Sequence, residues 1–248
     1  MGRQKWKEAL IDKSELRKIW KGVLDNLTIL TIHKLIEKGY IKEILSIVKE
    51  GKESKIFSGI NKNSEPIAIK VYATNAGNFK RMYQYIIGDK RFQNIKQDRK
   101  SIIYAWCRKE FVNTSLANQA GILCPKPYVF MNNVYVMSFI GEYINGTLVP
   151  APRLSDVEIE NLEEIFNQII SDIKKAYSIN LIHGDLSEFN ILIQNNKPYI
   201  IDWSQSVLSS HPNAKELLER DIKNICLFFK RKGLKCQEEE IIKIITQK

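Results

Sequence analysis

Short apolar segments separated by polar turns fill most of the first half of the chain, and longer segments with helical spacing fill the second half. Short apolar runs bounded by Gly, Asn and Lys predict strands, whereas apolar residues three or four positions apart predict helices. The pattern therefore predicts an α+β protein with two lobes, one mainly of strands and one mainly of helices, with a cleft between them.

The first lobe is predicted to follow a short helix. Asp25 or Asn26 would cap that helix at its start, and Gly39 would follow its end. The elements predicted after it are strands at 44–50, 55–60, 66–72, 128–131 and 134–139, and a helix at 101–120.

The second lobe is predicted from a capping box, a polar loop and two late helices. Ser155 to Glu158 form the capping box, which predicts that a helix begins there. Asn195 and Asn196 predict a hairpin turn between two short strands. Further helices are expected after Asn213 and after Gln237.

Basic and aromatic residues are interleaved in a long polar stretch before the helix at 101–120. Residues 80–109 contain nine Lys or Arg residues and two acidic residues. The aromatic residues among them are Tyr83, Tyr85, Phe92, Tyr104 and Trp106. We expect a flexible basic loop at about 74–104 that contacts RNA, since such a composition suits phosphates and unstacked bases. A solvated loop whose charge keeps the protein soluble is the alternative.

The composition favours a globular protein with polyanionic partners. The 248 residues are 44% hydrophobic, enough for a core, and the net charge is +10. A basic N-terminal arm would add Arg3, Lys5, Lys7, Arg17, Lys18 and Lys21. There is no apolar signal core and no run of about 18 apolar residues, so we expect a cytoplasmic protein without a membrane partner. The four scattered cysteines indicate ordinary thiols.

One polar loop carries the candidate chemistry. His183-Gly184-Asp185-Leu186 is followed by Asn190 and, after a hairpin, by Asp202. Protein kinases use a similar H-R-D-L motif, then Asn and Asp, for phosphoryl transfer. Asp185 is therefore the predicted base for the attacking group, and Asn190 and Asp202 are the predicted ligands of Mg²⁺, or of Mn²⁺. ATP would be the substrate that brings the metal ion. A catalytically dead loop is the alternative.

Three upstream segments fit an ATP site in the same order. Lys70, in Ala68-Ile69-Lys70, is the predicted phosphate ligand, and Glu110 is its predicted partner. The turn at Lys52, Glu53 and Ser54 is the predicted phosphate loop. Met137 is expected behind the adenine, and Ser138, Phe139 and Ile140 are expected to present backbone groups to its edge.

Together these motifs resemble the RIO kinases, most closely the first RIO subfamily. The resemblance covers about residues 24–233 and includes Lys109-Glu110-Phe111 and the segment from Asn213 to Asp221 that follows Asp202 without an activation loop. It implies a bilobal protein-kinase-like fold with a truncated C-terminal lobe. The implied division is an N-terminal basic helical extension at 1–43, an N-lobe at 44–137 and a C-lobe at 138–248.

The resemblance also implies a function. RIO proteins act on pre-ribosomal particles, so the implied partners are the small subunit and its rRNA, with a protein substrate or autophosphorylation. Asp202 would accept the phosphoryl group, Ser187 would contact the γ-phosphate, and Asp221 would support the loop. Ser204 departs from the glycine usual after this Asp and puts the metal geometry at Asp202 in question.

Three alternatives remain open from the sequence. H-G-D motifs also occur in small-molecule phosphotransferases of the aminoglycoside or choline kinase type, and in the compact archaeal kinase of a tRNA-modifying complex. A nucleotide-dependent RNA-binding scaffold without enzymatic activity is the third.

Overall fold

The computed structural model describes residues 24–75, 77, 79–92 and 94–247. The predicted basic arm, from Arg3 to Lys21, lies outside the described residues. The first described helix, α1 (Asn26–Glu37), begins after Asp25, whose carboxylate accepts a hydrogen bond from the Thr28 N–H at 2.9 Å. Gly39 follows the helix with a φ of +77°, a conformation that glycine adopts without strain. The predicted capped helix is therefore confirmed.

Five antiparallel strands form the sheet of the first lobe, in the order β1-β2-β3-β5-β4. Their bounds are β1 (Glu43–Glu50), β2 (Ser54–Ile60), β3 (Pro66–Tyr72), β4 (Pro127–Met131) and β5 (Val134–Ser138). Successive side chains of a strand point to opposite faces. Accordingly Ile67, Ile69 and Val71 of β3 pack in one core with α1, whereas Lys70 and Tyr72 lie on the other face.

Two helices cover that second face. Helix α2 (Phe79–Ile87) and a 3₁₀ turn (Lys90–Phe92) precede α3 (Arg99–Gln119). The prediction that 74–104 is a flexible loop was wrong for these parts. Met82 and Ile86 of α2 are buried in a core with Ile103 and Trp106 of α3. Apolar residues four positions apart, such as Met82 and Ile86, give a basic helix one buried face. The many charged residues around them obscured this pattern in the sequence.

The second lobe contains three helices and several short strand pairs. The helices are α4 (Leu162–Ser178), α5 (Ala214–Arg231) and α6 (Glu238–Thr246), and the strands are β6 (Gly141–Ile144), β7 (Thr147–Pro150), β8 (Leu181–Ile182), β9 (Ile191–Gln194), β10 (Lys197–Ile200) and β11 (Val207–Leu208). The β9–β10 turn at Asn195 and Asn196 and both late helices are confirmed. The core includes Phe166, Trp203 and Phe229.

The prediction that a capping box at Ser155 begins a helix was wrong. Residues Leu154–Asp156 form a 3₁₀ turn, Val157 is extended, and α4 begins only at Leu162. Ser155 donates its hydroxyl to Asp156 Oδ1 instead of capping a helix. The side chain of Leu154 is fully buried, so packing of the turn outweighs the local capping preference.

One lobe mainly of strands and one mainly of helices give the two-lobed α+β architecture that the sequence predicts. Asp202 is separated from α5 only by residues 203–213, so the predicted truncation without an activation loop is confirmed. No helix in the described part of the chain is both long and apolar enough to cross a membrane.

Candidate active site

A buried lysine joins the two lobes. Lys70 Nζ on β3 lies 2.8 Å from Glu110 Oε1 on α3 and 3.0 Å from Asp202 Oδ1 in the second lobe. The side chains of Lys70 and Glu110 are buried, and Tyr72 donates its hydroxyl to Glu110 Oε2. The predicted Lys70–Glu110 pair is confirmed, and Asp202 completes it.

The charges of this cluster stabilise one another. Burial disfavours the charge of Lys70, but Asp202 and Glu110 outweigh it and raise the pKa of Lys70 above its ordinary value. Burial would raise the pKa of Asp202, but Lys70 and the Ser204 hydroxyl lower it to about 2. Asp202 is therefore ionised at neutral pH, and 39% of its side-chain surface remains accessible to a ligand.

The loop before Asp185 is held by side chains from α5. Asp221 accepts hydrogen bonds from the N–H groups of Gly184 (2.7 Å) and Leu186 (2.8 Å), and Arg220 donates to Gly184 O. Gly184 has a φ of +77°, and a Cβ atom there would lie 3.0 Å from Gln205 O. A glycine is therefore required between His183 and Asp185. The predicted structural role of Asp221 is confirmed.

His183 links this loop to the strand before Asp202. Its Nε2 lies 3.1 Å from Ile201 O, and the Asp185 N–H donates to its Nδ1 at 3.3 Å. The ring therefore donates through Nε2 and accepts through Nδ1, as a neutral imidazole does. Burial lowers the pKa of His183 to about 4, so it stays neutral.

Asp185 and Asn190 lie side by side. Asn190 Nδ2 donates to Asp185 O at 2.8 Å and approaches Asp185 Oδ2 at 3.4 Å. Burial, and next the negative charge of Asp202, raise the pKa of Asp185 above its ordinary value. A carboxylate with a raised pKa is better matched to accepting a proton from an attacking hydroxyl.

The donor set fits a hard cation such as Mg²⁺. Both side-chain hydrogen bonds of Asn190 to described residues use its amide nitrogen, so its side-chain oxygen can bind a metal ion together with a carboxylate oxygen of Asp202. No cluster of three or more His, Cys, Asp or Glu residues that could hold a metal occurs within the described ranges. A metal ion here would take its remaining ligands from phosphates and water.

Ser204 does not disturb the backbone at Asp202. The left-handed residue is Asp202 itself, with φ 63° and ψ 63°, and Ser204 lies in the 3₁₀ turn Trp203–Gln205 that follows. The Ser204 hydroxyl donates to Asp202 Oδ1 at 2.7 Å. The serine therefore orients the carboxylate instead of restricting the chain.

The predicted phosphate loop lies at the end of β3 that carries Lys70. Gly51 N–H donates to Ser54 O at 3.0 Å, Ala73 N–H donates to Glu53 O at 2.9 Å, and Lys52 is exposed between them. Ser54 pairs with Tyr72, two residues beyond Lys70. Ser187, with its backbone oxygen accepting from Asn190 N–H at 3.0 Å, stays a predicted phosphate ligand.

At the opposite end of β3, the segment predicted to bind adenine uses some of its backbone groups internally. Ser138 N–H donates to Lys126 O and Phe139 N–H to Pro66 O. Among the described residues no hydrogen bond uses Ile140 N–H, so this group is available to the base edge. Met137 is partly buried and packs on the face of the sheet that carries Lys70.

The sequence did not reveal several charged residues around the site. Burial, Arg153 and Lys70 lower the pKa of Lys49, which places the β1 lysine among the cations of the cleft. Arg81 lies near Asp185 and Gln205, with its guanidinium 3.4 Å from Gln205 Oε1. Lys109, next to Glu110, is fully buried. No alternation of apolar and polar residues along β1 marks Lys49, so the position of these residues at the site depended on the fold.

Comparison with known proteins gives a consistent result. Residues 55–241 match the RIO domain family. The chain is 35% identical to the RIO-type serine/threonine-protein kinase Rio1 of Haloferax volcanii, covering 92% of this chain and 78% of the relative. Identity to the Methanocaldococcus jannaschii Rio1 is 41%, covering 91% and 76%. The human serine/threonine-protein kinase RIO1 is 36% identical, with 39% of its length covered.

Solved structures with a similar fold include the Rio2 kinase of Chaetomium thermophilum. Its complex described as ADP/Mg²⁺-phosphoaspartate superimposes with a TM-score of 0.66 at 20% identity, covering 95% of this chain and 76% of that one. A second structure of the same kinase gives a TM-score of 0.67 at 22% identity, covering 88% of this chain and 67% of that one. These likenesses establish the fold.

Proposed function

The chain belongs to the RIO family, and the three relatives named above are Rio1 proteins; from this premise we propose that it is an ATP-dependent serine/threonine protein kinase and ATP hydrolase. The observation that carries the proposal is the position of Lys70, which bridges Glu110 and Asp202 across the two lobes at 2.8 and 3.0 Å. Phosphoryl transfer depends chiefly on positioning and charge, and this cluster supplies both.

Each residue of the site has a role in this proposal. Lys70 binds ATP phosphates, with Glu110 holding its ammonium in place. Asp185 accepts the proton of the attacking hydroxyl, and Asn190 and Asp202 hold the metal ion. Mg²⁺, or Mn²⁺, supplies charge neutralisation of the phosphates. The turn at Lys52 to Ser54 covers the phosphates, and Ile140 N–H binds the base.

We include an aspartyl-phosphate on Asp202 in the proposal. A carboxylate oxygen of Asp202 would attack the γ-phosphorus while the bond from that phosphorus to the bridging oxygen breaks, releasing ADP. Water, deprotonated by Asp185, would then attack the same phosphorus while its bond to the carboxylate oxygen breaks, releasing inorganic phosphate and returning the Asp202 carboxylate. The pKa of about 2 supports this step, since it keeps Asp202 ionised.

We further propose that the activity serves maturation of the small ribosomal subunit in the cytoplasm, with pre-rRNA as a partner. The supporting observation is the basic segment of α2 and the start of α3. Its exposed cations include Lys80, Arg81, Lys90, Lys96, Arg99 and Lys100.

The test is phosphoryl transfer from γ-labelled ATP by the whole chain and its variants. Lys70→Met and Asp185→Ala should each lower ATP hydrolysis and autophosphorylation at least ~100-fold, as expected for loss of a positioned catalytic group. Lys197→Met, an exposed lysine on β10, is the matched control and should keep full activity. Hydrolysis at the parental rate in both site variants would refute the enzyme and favour the scaffold.

The same assay separates the remaining classes. Hydroxylamine-labile label on the protein, lost in Asp202→Asn, is expected for an acyl phosphate. Fast phosphorylation of an aminoglycoside or of choline would instead identify a small-molecule phosphotransferase. Label found only on serine or threonine would contradict the aspartyl-phosphate while leaving the kinase intact.

A further inference from the structure

The backbone that follows Asp202 is bound by two buried side chains of α3. Lys109 Nζ donates to Ser204 O at 3.2 Å and also to Ser206 O. Asn113 Nδ2 donates to Trp203 O and to Ser206 O, each at 3.0 Å. Both donor side chains are completely buried. Lys109 and Asn113 lie four positions apart, one turn along the helix, and therefore meet the same loop.

Burying the ammonium of Lys109 costs free energy that other interactions must offset. An ammonium removed from water is destabilised unless it is paired and hydrogen-bonded, and burial lowers the pKa of Lys109 to about 7. An apolar residue would avoid that cost but would leave the Ser204 carbonyl without its donor. The loop carbonyls are thus the groups that this lysine satisfies.

A second polar layer orients these donors. Asp89 forms a salt bridge with Arg91 at 2.6 Å, and the same guanidinium donates to Asn113 Oδ1 at 2.8 Å. Asn113 can therefore present only its amide nitrogen to the loop. The charge of Asp89 also favours the ammonium form of Lys109.

The backbone conformation of Asp202 gives a reason for the hydrogen bonds from Lys109 and Asn113. Its φ of 63° and ψ of 63° are left-handed, which is uncommon for a residue with a side chain. Such conformations cost free energy and persist where the surroundings impose them. The three residues whose carbonyls are bound, Trp203, Ser204 and Ser206, follow Asp202 almost directly.

We propose that Lys109 and Asn113 are positioning residues that hold Asp202 in the orientation needed to bind the metal ion of the ATP complex. The inference rests on the proposed function of Asp202. Neighbouring residues of α3 then have complementary tasks: Glu110 orients Lys70, and Lys109 orients the loop that carries Asp202. The phosphate ligand Lys70 and the metal ligand Asp202 are thus both positioned by side chains from one turn of α3.

The experiment measures ADP binding by calorimetry with and without Mg²⁺, in the whole chain. Lys109→Met and Asn113→Leu should reduce the gain in ADP affinity that Mg²⁺ provides by roughly 10-fold or more, the usual effect of removing support from a metal ligand. Binding without Mg²⁺ should change much less. Lys223→Met, an exposed lysine on α5, should bind as the parent does.

Hydrogen exchange of the amides at 203–208 supplies a second measurement that does not depend on catalysis. Both variants should exchange faster there while the sheet of the first lobe keeps its protection. If Lys109→Met does not fold, Asn113→Leu still removes the donor to Trp203 and one donor to Ser206.

The outcomes separate this inference from the proposed function. A parent protein that ignores Mg²⁺ and ADP would overturn the proposed function itself. If the parent binds both, and both folded variants keep the full Mg²⁺-dependent gain and parental exchange at 203–208, the positioning role is overturned. A loss of affinity that is equal with and without Mg²⁺ would also overturn it, because a merely structural role predicts that result.

Discussion

At the scale of single residues, buried charges decide the chemistry of the site. Lys70 is buried on the face of β3 opposite the apolar side chains of Ile69 and Val71, and it is stabilised by two carboxylates. Because a desolvated ammonium requires such partners, a lysine in an apolar strand predicts that a carboxylate lies near it. Glu110 was predicted as that partner from the order of the motifs, whereas the contact with Asp202 was added by the structure.

Replacing Glu110 by Gln should destabilise the protein. The change leaves Lys70 with one ionic partner and removes the acceptor charge for Tyr72, and breaking a buried pair costs about 3 kcal/mol or more. Urea unfolding of Glu110→Gln measures the loss. Glu219→Gln, which affects the exposed pair with Lys215, is the control and should change stability within experimental error. Equal effects of the two variants would contradict a buried, interacting pair.

His183 should make the protein sensitive to acid. Its pKa is lowered to about 4 from an ordinary value of about 6.5, so the folded state favours the neutral ring. That contribution to stability is complete above about pH 6.5 and is lost as the pH falls toward 4, by about 3 kcal/mol in total.

The pH dependence of urea unfolding checks this expectation. His183→Gln should show a smaller loss between pH 6.5 and 4 than the parent. His33→Gln, a change in α1, should retain the parental slope. An unchanged slope in His183→Gln would show that the carboxylates alone account for acid unfolding.

At the scale of elements, predictions from local sequence were correct where the hydrogen bonds form within one turn of the chain. They were wrong where packing against other elements outweighed the local preference. Asp25 caps α1 through bonds that lie within one turn, as its sequence position predicts. Ser155 has the same capping signature, yet the buried Leu154 holds its segment in a 3₁₀ turn. The β6–β7 hairpin was not predicted, although its turn is Asn145-Gly146, a pair that favours tight hairpins; both residues have positive φ.

The cap of α1 should contribute to global stability. Asp25→Ala removes acceptors for Thr28 N–H, for Thr28 Oγ1 and for Thr74 Oγ1 beyond β3, and should cost about 1 kcal/mol. Thermal unfolding measures it. Asp98→Ala removes the exposed cap of α3, which accepts bonds from the N–H and the hydroxyl of Ser101, and should cost less. The opposite order would indicate that the Thr74 contact adds nothing.

At the scale of the whole molecule, the net charge is +10, and the carboxylates inside the site differ in sign from most of the charges on the nearby surface. Glu110 and Asp202 contact Lys70, whereas the exposed charges of α2 and the following segment are basic except for Asp98. A surface with this balance attracts polyanions.

RNA binding should weaken steeply with salt. For single-stranded RNA the logarithm of affinity should fall with the logarithm of salt by about 0.7 per neutralised phosphate. The triple variant Lys96→Gln, Arg99→Gln, Lys100→Gln should lower the slope by roughly 2. A filter-binding titration at several salt concentrations measures both.

A matched triple variant, with two lysines on α5 and one directly after it, provides the control for that experiment. Lys215→Gln, Lys223→Gln and Lys232→Gln change the same amount of exposed charge outside the basic segment. This variant should keep the parental slope. A slope lowered equally by both triple variants would mean that only net charge, and no localised surface, binds RNA.

Much of the candidate site could be predicted because its spacing is local. The loop from His183 to Asn190 is contiguous, and the strand that follows it, β9, pairs with the strand before Asp202 through a tight turn at Asn195 and Asn196. Lys70 was identifiable as a lysine within a predicted apolar strand, and Glu110 as a carboxylate within a predicted helix. The five strands of the first lobe and the two late helices follow from similar short-range patterns.

Only the tertiary structure decided which distant groups meet. Lys109 and Asn113 contact carbonyls about ninety residues farther along the chain, and a carbonyl has no signature in the sequence. The left-handed conformation of Asp202 and the buried face of α2 likewise depend on neighbours supplied by other elements. The sequence alone determined the local spacing of the reactive side chains, because the backbone transmits it over a few residues. Their charge states and orientation were decided by burial and packing between the lobes.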